Sequence, residues 1–281
     1  MKWQGQRESG NVEDRRGMGG GGMRLPLGGG LGGIVLLLVV SALTGTNPLE
    51  LIGTFTGDQE RGVAGVPEGD TQASFISVVL ASTEDTWREA FRARGQAYVP
   101  PMLVLFDGET TSACGLGRAE VGPFYCPADR DVYLDLSFFR ELDEQFGAPG
   151  DFAQAYVVAH EVGHHVQNLL GTSESVTRAR ERGDEQQSNA LSVRLELQAD
   201  CYAGVWGHYA AQQQLLEPGD ADEGLTAAGA IGDDRLQRMS KGRVAPETFT
   251  HGSSADRAKW LRRGLDVGTL DACDTFAADA N

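Results

Sequence analysis

The sequence predicts an α+β domain in which a small sheet packs against several helices. Two short apolar segments, "MLVLF" at 102–106 and "VYLDLSFF" at 132–139, are β-like and bounded by Gly, Pro or Asp. Longer segments at 71–95, 151–170 and 188–214 have apolar residues at helical spacing. A few strands among longer helices, without an internal repeat, are typical of this fold class.

Within the first helical segment, the polar cluster "STED" interrupts the apolar pattern at 82–85. Ser, Thr and Asp are preferred residues at the start of a helix, so the cluster predicts the cap of a second helical segment.

The composition limits the partners. The chain has 281 residues, 41% of them hydrophobic, which is enough for one substantial domain with tails. Its formal net charge of −16 argues against nucleic acid or an anionic membrane surface as the main partner.

The N-terminal part of the chain predicts a membrane anchor. Residues 25–49 contain no charged residue, and "IVLLLVVSAL" at 34–43 is their apolar centre. An uncharged run of this length can span a bilayer. The positive-inside rule would keep the basic residues before it in the cytoplasm; these are Lys2, Arg7, Arg15, Arg16 and Arg24. We predict an uncleaved transmembrane anchor in the lipid bilayer, and a cleaved signal peptide is the alternative.

This anchor divides the chain into four parts. Residues 1–24 are expected to form a flexible cytoplasmic tail, and the Gly-rich, charged residues 50–70 a linker. Residues 71–281 are expected to form the folded domain. With either an anchor or a signal peptide this domain is exported, so we expect a single-pass protein of the cell membrane with its folded domain outside the cytoplasm.

The segment "PGDFAQAYVVAHEVGHHVQNLLG" predicts a mostly buried helix that begins at Asp151 and ends before Gly171. His160 and His164 are four residues apart, so they project from one face within reach of a single metal ion. Glu161 follows the first histidine and can accept a proton from metal-bound water.

Two neighbouring residues of this segment have other expected roles. His165 points to another side of the helix and is expected to be a packed histidine, or one that supports the metal ligands, but not a ligand itself. Gly163 is costly inside a helix, which predicts a close packing contact.

A second helix offers the carboxylate that a zinc site of this kind needs. Catalytic zinc usually has three protein ligands and one water. Glu196 and Asp200 are four residues apart in "LELQADCYAGVW". We predict Glu196 as the third Zn²⁺ ligand and Asp200 as the residue that holds a ligand imidazole through its other nitrogen. A solvated pair of acids is the alternative, but the neighbours here are largely apolar.

Several segments together are similar to the neutral zinc metallopeptidases of bacteria, a membrane-anchored family. They are "AHEVGHHVQ", "RLELQADCYAGVW", "ACGLGRAEVGPFYCP" with "DVYLDLSFF", and "THGSSADRAKW" followed by "CDTF". The resemblance extends from Met1 to Phe276. It implies a zincin-like fold and hydrolysis of peptide bonds, and the spacing of Glu196 and Asp200 resembles the gluzincin arrangement.

Four cysteines without a C-x-x-C pair favour two disulfides over a zinc ribbon in an exported domain. Of three possible connectivities we predict Cys114–Cys126, which closes a short turn, and Cys201–Cys273, which ties the helix of Asp200 to the C-terminal segment.

The predicted function is a zinc endopeptidase in which Glu161 is the general base. His251 in "FTHGSS" is the candidate for a second electrophile, with Tyr202 and His208 as alternatives. The strand at 132–136 is expected to receive an extended peptide substrate by edge pairing. A zinc-containing binding module of the cell envelope, without peptidase activity, is the competing hypothesis.

Overall fold

A five-stranded sheet forms one layer of the computed structural model, which describes residues 1–17 and 63–277. Its strands are β1 (Val12–Asp14), β2 (Val63–Ala64), β3 (Leu103–Phe106), β6 (Phe124–Cys126) and β7 (Asp131–Asp135). They lie in the order β2-β1-β3-β7-β6, in which β1, β3 and β7 are parallel and the two edge strands are antiparallel to their neighbours. Strands β4 (Glu109–Ser112) and β5 (Gly115–Arg118) form a separate hairpin.

Helices pack on one face of this sheet, which confirms the predicted α+β class. The helices of the described residues are α1 (Thr71–Ala93), α2 (Ser137–Glu144), α3 (Asp151–Leu169), α4 (Thr172–Arg180), α5 (Glu185–Gln212), α6 (Asp220–Ala230), α7 (Asp233–Lys241) and α8 (Ser254–Val267), and some of them pack only on other helices. Leu103 and Leu105 of β3 join the main core with the helices, whereas Val104 and Phe106 join a smaller cluster on the other face. The period-two alternation of a strand explains this division.

Glycines allow α5 to approach its neighbours closely. A Cβ atom on Gly163 of α3 would lie 3.0 Å from the carbonyl oxygen of Ala199 on α5, so the close contact predicted at this glycine is confirmed. Gly204 of α5 and Gly264 of α8 lie against each other's helix backbone in the same way. The two helices beside α5 are therefore held at backbone contact with it.

Both predicted disulfides are present. Cys114–Cys126 joins the turn of the β4–β5 hairpin to the end of β6, and Cys201–Cys273 joins α5 to the C-terminal segment.

Residues 1–17 belong to the folded domain, so the prediction of a flexible tail that precedes a domain starting at residue 71 was wrong for them. Strand β1 pairs with β3 inside the sheet. The α-ammonium group of Met1 donates to Asp151 at 2.7 Å, and the ring of Trp3 packs edge-to-face on Phe75. These contacts join the N-terminus to α3 and α1.

The predicted interruption at 82–85 was also wrong, because α1 is continuous through these residues. Glu84 is only 2% exposed. Its carboxylate accepts hydrogen bonds from Ser9, from Asn11 at 2.8 Å and from Arg7 at 3.3 Å. The polar cluster therefore binds the N-terminal segment and does not cap a second helix.

The predicted anchor, residues 25–49, lies outside the described residues, as does most of the predicted linker. Strands β1 and β2 on either side of it are hydrogen-bonded neighbours, with Glu13 opposite Ala64. A chain that crossed a bilayer once between these strands would place them on opposite sides. The predicted combination of a cytoplasmic N-terminus with an extracytoplasmic domain therefore does not fit this sheet. Within 1–17 and 63–277, no helix has both the length and the apolar character of a membrane span.

Candidate metal centre

Helices α3 and α5 bring two histidines and one glutamate together, as the sequence predicts. His160 and His164 lie one turn apart on α3, with ring centroids separated by 4.8 Å. Glu196 of α5 faces both: its carboxylate oxygens lie 3.2 Å from Nε2 of His160 and 3.4 Å from Nε2 of His164. One potential ligand atom from each residue lies within 4.8 Å of the other two.

The opposite nitrogen of each imidazole is held by an acceptor. Nδ1 of His160 lies 2.8 Å from Asp200, and Nδ1 of His164 lies 2.9 Å from Oε1 of Gln167. The amide nitrogen of Gln167 donates to a backbone carbonyl of α5, which fixes its oxygen toward His164. When the rings are neutral and carry their protons on Nδ1, both Nε2 atoms can coordinate a metal ion together with Glu196.

The charges of this cluster favour additional positive charge between its residues. Although burial disfavours its charged form, Asp200 and Glu196 raise the pKa of His160 to about 10. Against the same effect of burial, Glu196 raises the pKa of His164, and the two histidines hold the pKa of Glu196 well below its ordinary value. Protons or a divalent ion can supply the missing positive charge. Two imidazoles and one carboxylate are a ligand set that fits Zn²⁺.

Asp200 lies at the centre of a buried network that holds His160. The Arg257 guanidinium donates to its two carboxylate oxygens at 2.9 and 3.0 Å, and the Tyr156 hydroxyl donates at 2.5 Å. Asp200 is fully buried and Arg257 is 3% exposed. Despite its burial, Arg257 and His160 hold the pKa of Asp200 below its usual value. The charged carboxylate can thus orient the imidazole.

The sequence prediction missed Arg257 and Tyr156, although each had a signal. Arg257 lies on the buried stripe of α8 together with Trp260 and Leu261, where a charged residue needs a buried partner. Tyr156 precedes His160 by one helical turn and therefore shares its face.

Glu161 lines an open cleft of about 650 Å³ together with His160 and His164. It is 8% exposed, and within the described part of the chain its carboxylate makes no hydrogen bond. The same cleft is lined by Phe124 and Tyr125 of β6. The carboxylate is therefore free to bind a water molecule beside the cluster.

His251 also lines this cleft, from the loop between α7 and α8. Its Nδ1 lies 3.2 Å from Asp233, and this hydrogen bond raises the pKa of His251. Asp233 also accepts three backbone N–H groups of residues 250–252, so it fixes the loop. The alternatives lie elsewhere: Tyr202 is buried against Trp87, and His208 contacts the backbone of α8.

The predicted substrate-binding strand was misplaced. Strand β7 lies inside the sheet, because Val132 is paired with Leu103 on one side and with Tyr125 on the other. Strand β6 is the edge on the cleft side, and its short length left no clear signal in the sequence.

His165 is a packed histidine, as predicted. It is fully buried, and its Nε2 lies 2.7 Å from the carbonyl oxygen of Val99. Burial lowers the pKa of His165 to about 4, so the ring is neutral near pH 7.

Comparison with known proteins shows the family to which this chain belongs. The chain is 51% identical to the uncharacterized protein YpfJ of Escherichia coli K12 over 98% of this chain and 99% of that protein. It is 44% identical to the uncharacterized protein Rv2575 of Mycobacterium tuberculosis H37Rv, over 73% and 72% of the two chains. No solved structure matches it significantly. Residues 1–276 match the family described as "Putative neutral zinc metallopeptidase", and the chain belongs to that family.

Proposed function

We propose that this protein is a zinc-dependent endopeptidase with a zincin-like catalytic domain. The observation that carries the proposal is the convergence of the Nε2 atoms of His160 and His164 on Glu196 in an open cleft that is also lined by the carboxylate of Glu161. A structural metal site has no use for that free base, whereas hydrolysis by activated water requires it.

Each residue of the cluster has one role in this proposal. His160, His164 and Glu196 would hold the zinc ion, and Asp200 orients the first imidazole. When bound, zinc supplies a Lewis acid and lowers the pKa of a water molecule. Glu161 accepts the proton of the attacking water and then delivers it to the leaving amine.

His251 serves as the second electrophile. The hydrogen bond from Nδ1 to Asp233 raises the pKa of His251, and in the protonated ring Nε2 carries a second proton that it can donate. A hydrogen bond from Nε2 to the carbonyl oxygen of the substrate would stabilise the negative charge that develops there. The open edge of β6 binds the substrate backbone as an additional strand.

The two disulfides favour an oxidising compartment. We therefore propose that the described residues, on both sides of 18–62, fold outside the cytoplasm. Attachment to the lipid bilayer through 25–49 stays a prediction, but without the single crossing that would separate β1 from β2.

The test compares zinc-loaded wild type with Glu161→Gln and with a control, Glu174→Gln, which removes an exposed carboxylate of α4. All three proteins should bind equal amounts of zinc. Cleavage of a peptide library should fall by about 10²–10⁴-fold in Glu161→Gln only. A wild type that binds zinc and cleaves no peptide would instead support the binding module, and equal cleavage by Glu161→Gln would refute the mechanism.

A further inference from the structure

We infer that Tyr125 is a positioning residue that sets the distance between edge strand β6 and helix α3. It does so through a hydrogen-bonded clamp made of Tyr125, His165 and Asn168. The inference rests on the proposed function in one respect, since it takes β6 as the strand that binds the substrate.

The chemistry of His165 determines the direction of each hydrogen bond in the clamp. Its Nε2 lies 2.7 Å from the carbonyl oxygen of Val99, which can only accept, so the proton of the neutral ring is on Nε2. Nδ1 is then an acceptor and receives the hydroxyl proton of Tyr125 at 3.1 Å. The amide of Asn168 donates to the same hydroxyl oxygen at 2.9 Å. The phenol is thus both donor and acceptor, held by two residues of α3.

The three residues of β6 are tied to three different elements. The ring of Phe124 stacks on Tyr133 of β7 at 4.8 Å, and Cys126 is bonded to Cys114 of the hairpin turn. Side chains alternate along a strand, so Tyr125 is directed to the opposite side, toward α3. The first attachment holds β6 to β7 of the sheet, and the second holds it to the separate β4–β5 hairpin. Within the described part of the chain, the side-chain hydrogen bonds that join β6 to the metal-bearing helix are those of Tyr125. Asn168 also donates to the carbonyl oxygen of Pro127, the residue after β6, at 3.4 Å.

Through the clamp, β6 is hydrogen-bonded to the part of α3 that carries the metal-centre histidines. His164 and His165 are consecutive in α3: the first faces Glu196 and the second faces Tyr125. Tyr125 and His164 also line the same cleft. A shift of β6 relative to α3 would therefore change the width of the cleft without moving a metal ligand. Such a shift should affect the binding of an extended peptide more than the chemical step.

The experiment uses the full zinc-loaded chain as wild type, Tyr125→Phe and a matched control, Tyr133→Phe. The control removes the hydroxyl of another sheet tyrosine, which donates to Asp129 at 2.8 Å outside the cleft. Asn168→Ala is a second variant that weakens the clamp without changing β6. Loss of one such hydrogen bond should accelerate hydrogen exchange of the β6 amides by about tenfold in Tyr125→Phe and not in Tyr133→Phe.

The kinetic measurement then tests positioning. In Tyr125→Phe, the KM for peptides of six or more residues should rise by about tenfold, which corresponds to one lost hydrogen bond, with kcat and zinc content nearly unchanged. Unchanged hydrogen exchange in both Tyr125→Phe and Asn168→Ala would overturn the clamp, whatever the activity. Faster exchange with an unchanged KM, or a fall in kcat alone, would overturn its positioning role. If the wild type cleaves no peptide, both the proposed function and the positioning role fail. The hydrogen-exchange comparison still decides whether the clamp exists.

Discussion

Replacement of Asp200 by asparagine separates two roles of this carboxylate. Asp200 neutralises Arg257, and it accepts a hydrogen bond from Nδ1 of His160. Asparagine keeps the size of the side chain but removes its charge. The guanidinium, which is 3% exposed, would then be buried without a counter-ion.

The expected magnitudes differ for the two roles. Removal of one partner from a buried ion pair costs about 3–5 kcal/mol of the free energy of unfolding. Loss of the residue that orients a ligand histidine weakens metal affinity by about 10–100-fold. Arg257→Met removes the unpaired cation. The double variant Asp200→Asn/Arg257→Met should therefore recover most of the lost stability, but its zinc affinity should stay weak.

The assay combines urea unfolding of the zinc-free proteins with zinc titration against a chromophoric chelator. The exposed pair Glu174–Arg178, replaced by Gln and Met, is the control and should show a coupling of about 0.5 kcal/mol or less. A double variant whose stability loss equals the sum of the two single losses would show that Asp200 and Arg257 do not stabilise each other. Unchanged zinc affinity in Asp200→Asn would refute its role in orienting His160.

Three further predictions concern the packing around the site. Gly163→Ala should cost about 1–3 kcal/mol in urea unfolding and weaken zinc binding, because its methyl would lie 3.0 Å from the α5 backbone. Gly229→Ala is the control: the nearest neighbour of its methyl would be at 3.8 Å, so it should stabilise by about 0.5–1 kcal/mol in the same assay. The folded pKa of His165, about 4, lies below its ordinary 6.5, so the unfolded chain binds the proton first as the pH falls. Between pH 6.5 and 4 the zinc-free wild type should therefore lose about 3 kcal/mol more stability than His165→Asn, and equal losses in urea unfolding would contradict this. Replacement of Cys201 and Cys273 by alanine should cost about 2–5 kcal/mol, because this disulfide spans 72 residues, and an unchanged urea midpoint would argue against it.

The residues that the sequence assigns to the metal centre, and that the fold brings together, all follow from local periodicity. His160 with His164, and Glu196 with Asp200, are spaced by one helical turn, so their common faces can be inferred without knowledge of the fold. Arg257 is 57 residues from Asp200 in the chain, and nothing local indicates that they meet. The sequence signal for Arg257 is only that a buried stripe contains a charge, which shows that a partner exists but not which residue it is.

Two errors of the sequence prediction, the flexible tail and the interrupted helix, have one cause: local sequence does not show which distant segments contact each other. The N-terminal segment is too polar to form a core alone, and the centre of α1 has too many polar residues for a buried helix. Each segment supplies hydrogen-bond partners for the polar groups of the other, because the carboxylate of Glu84 accepts hydrogen bonds from Arg7, Ser9 and Asn11. A buried polar group requires a partner. A polar cluster in the middle of an otherwise apolar helix therefore indicates a docking site for another polar segment. In this chain the sequence did not reveal that the two segments contact each other, because the apolar run between them suggested that they lie on opposite sides of a membrane.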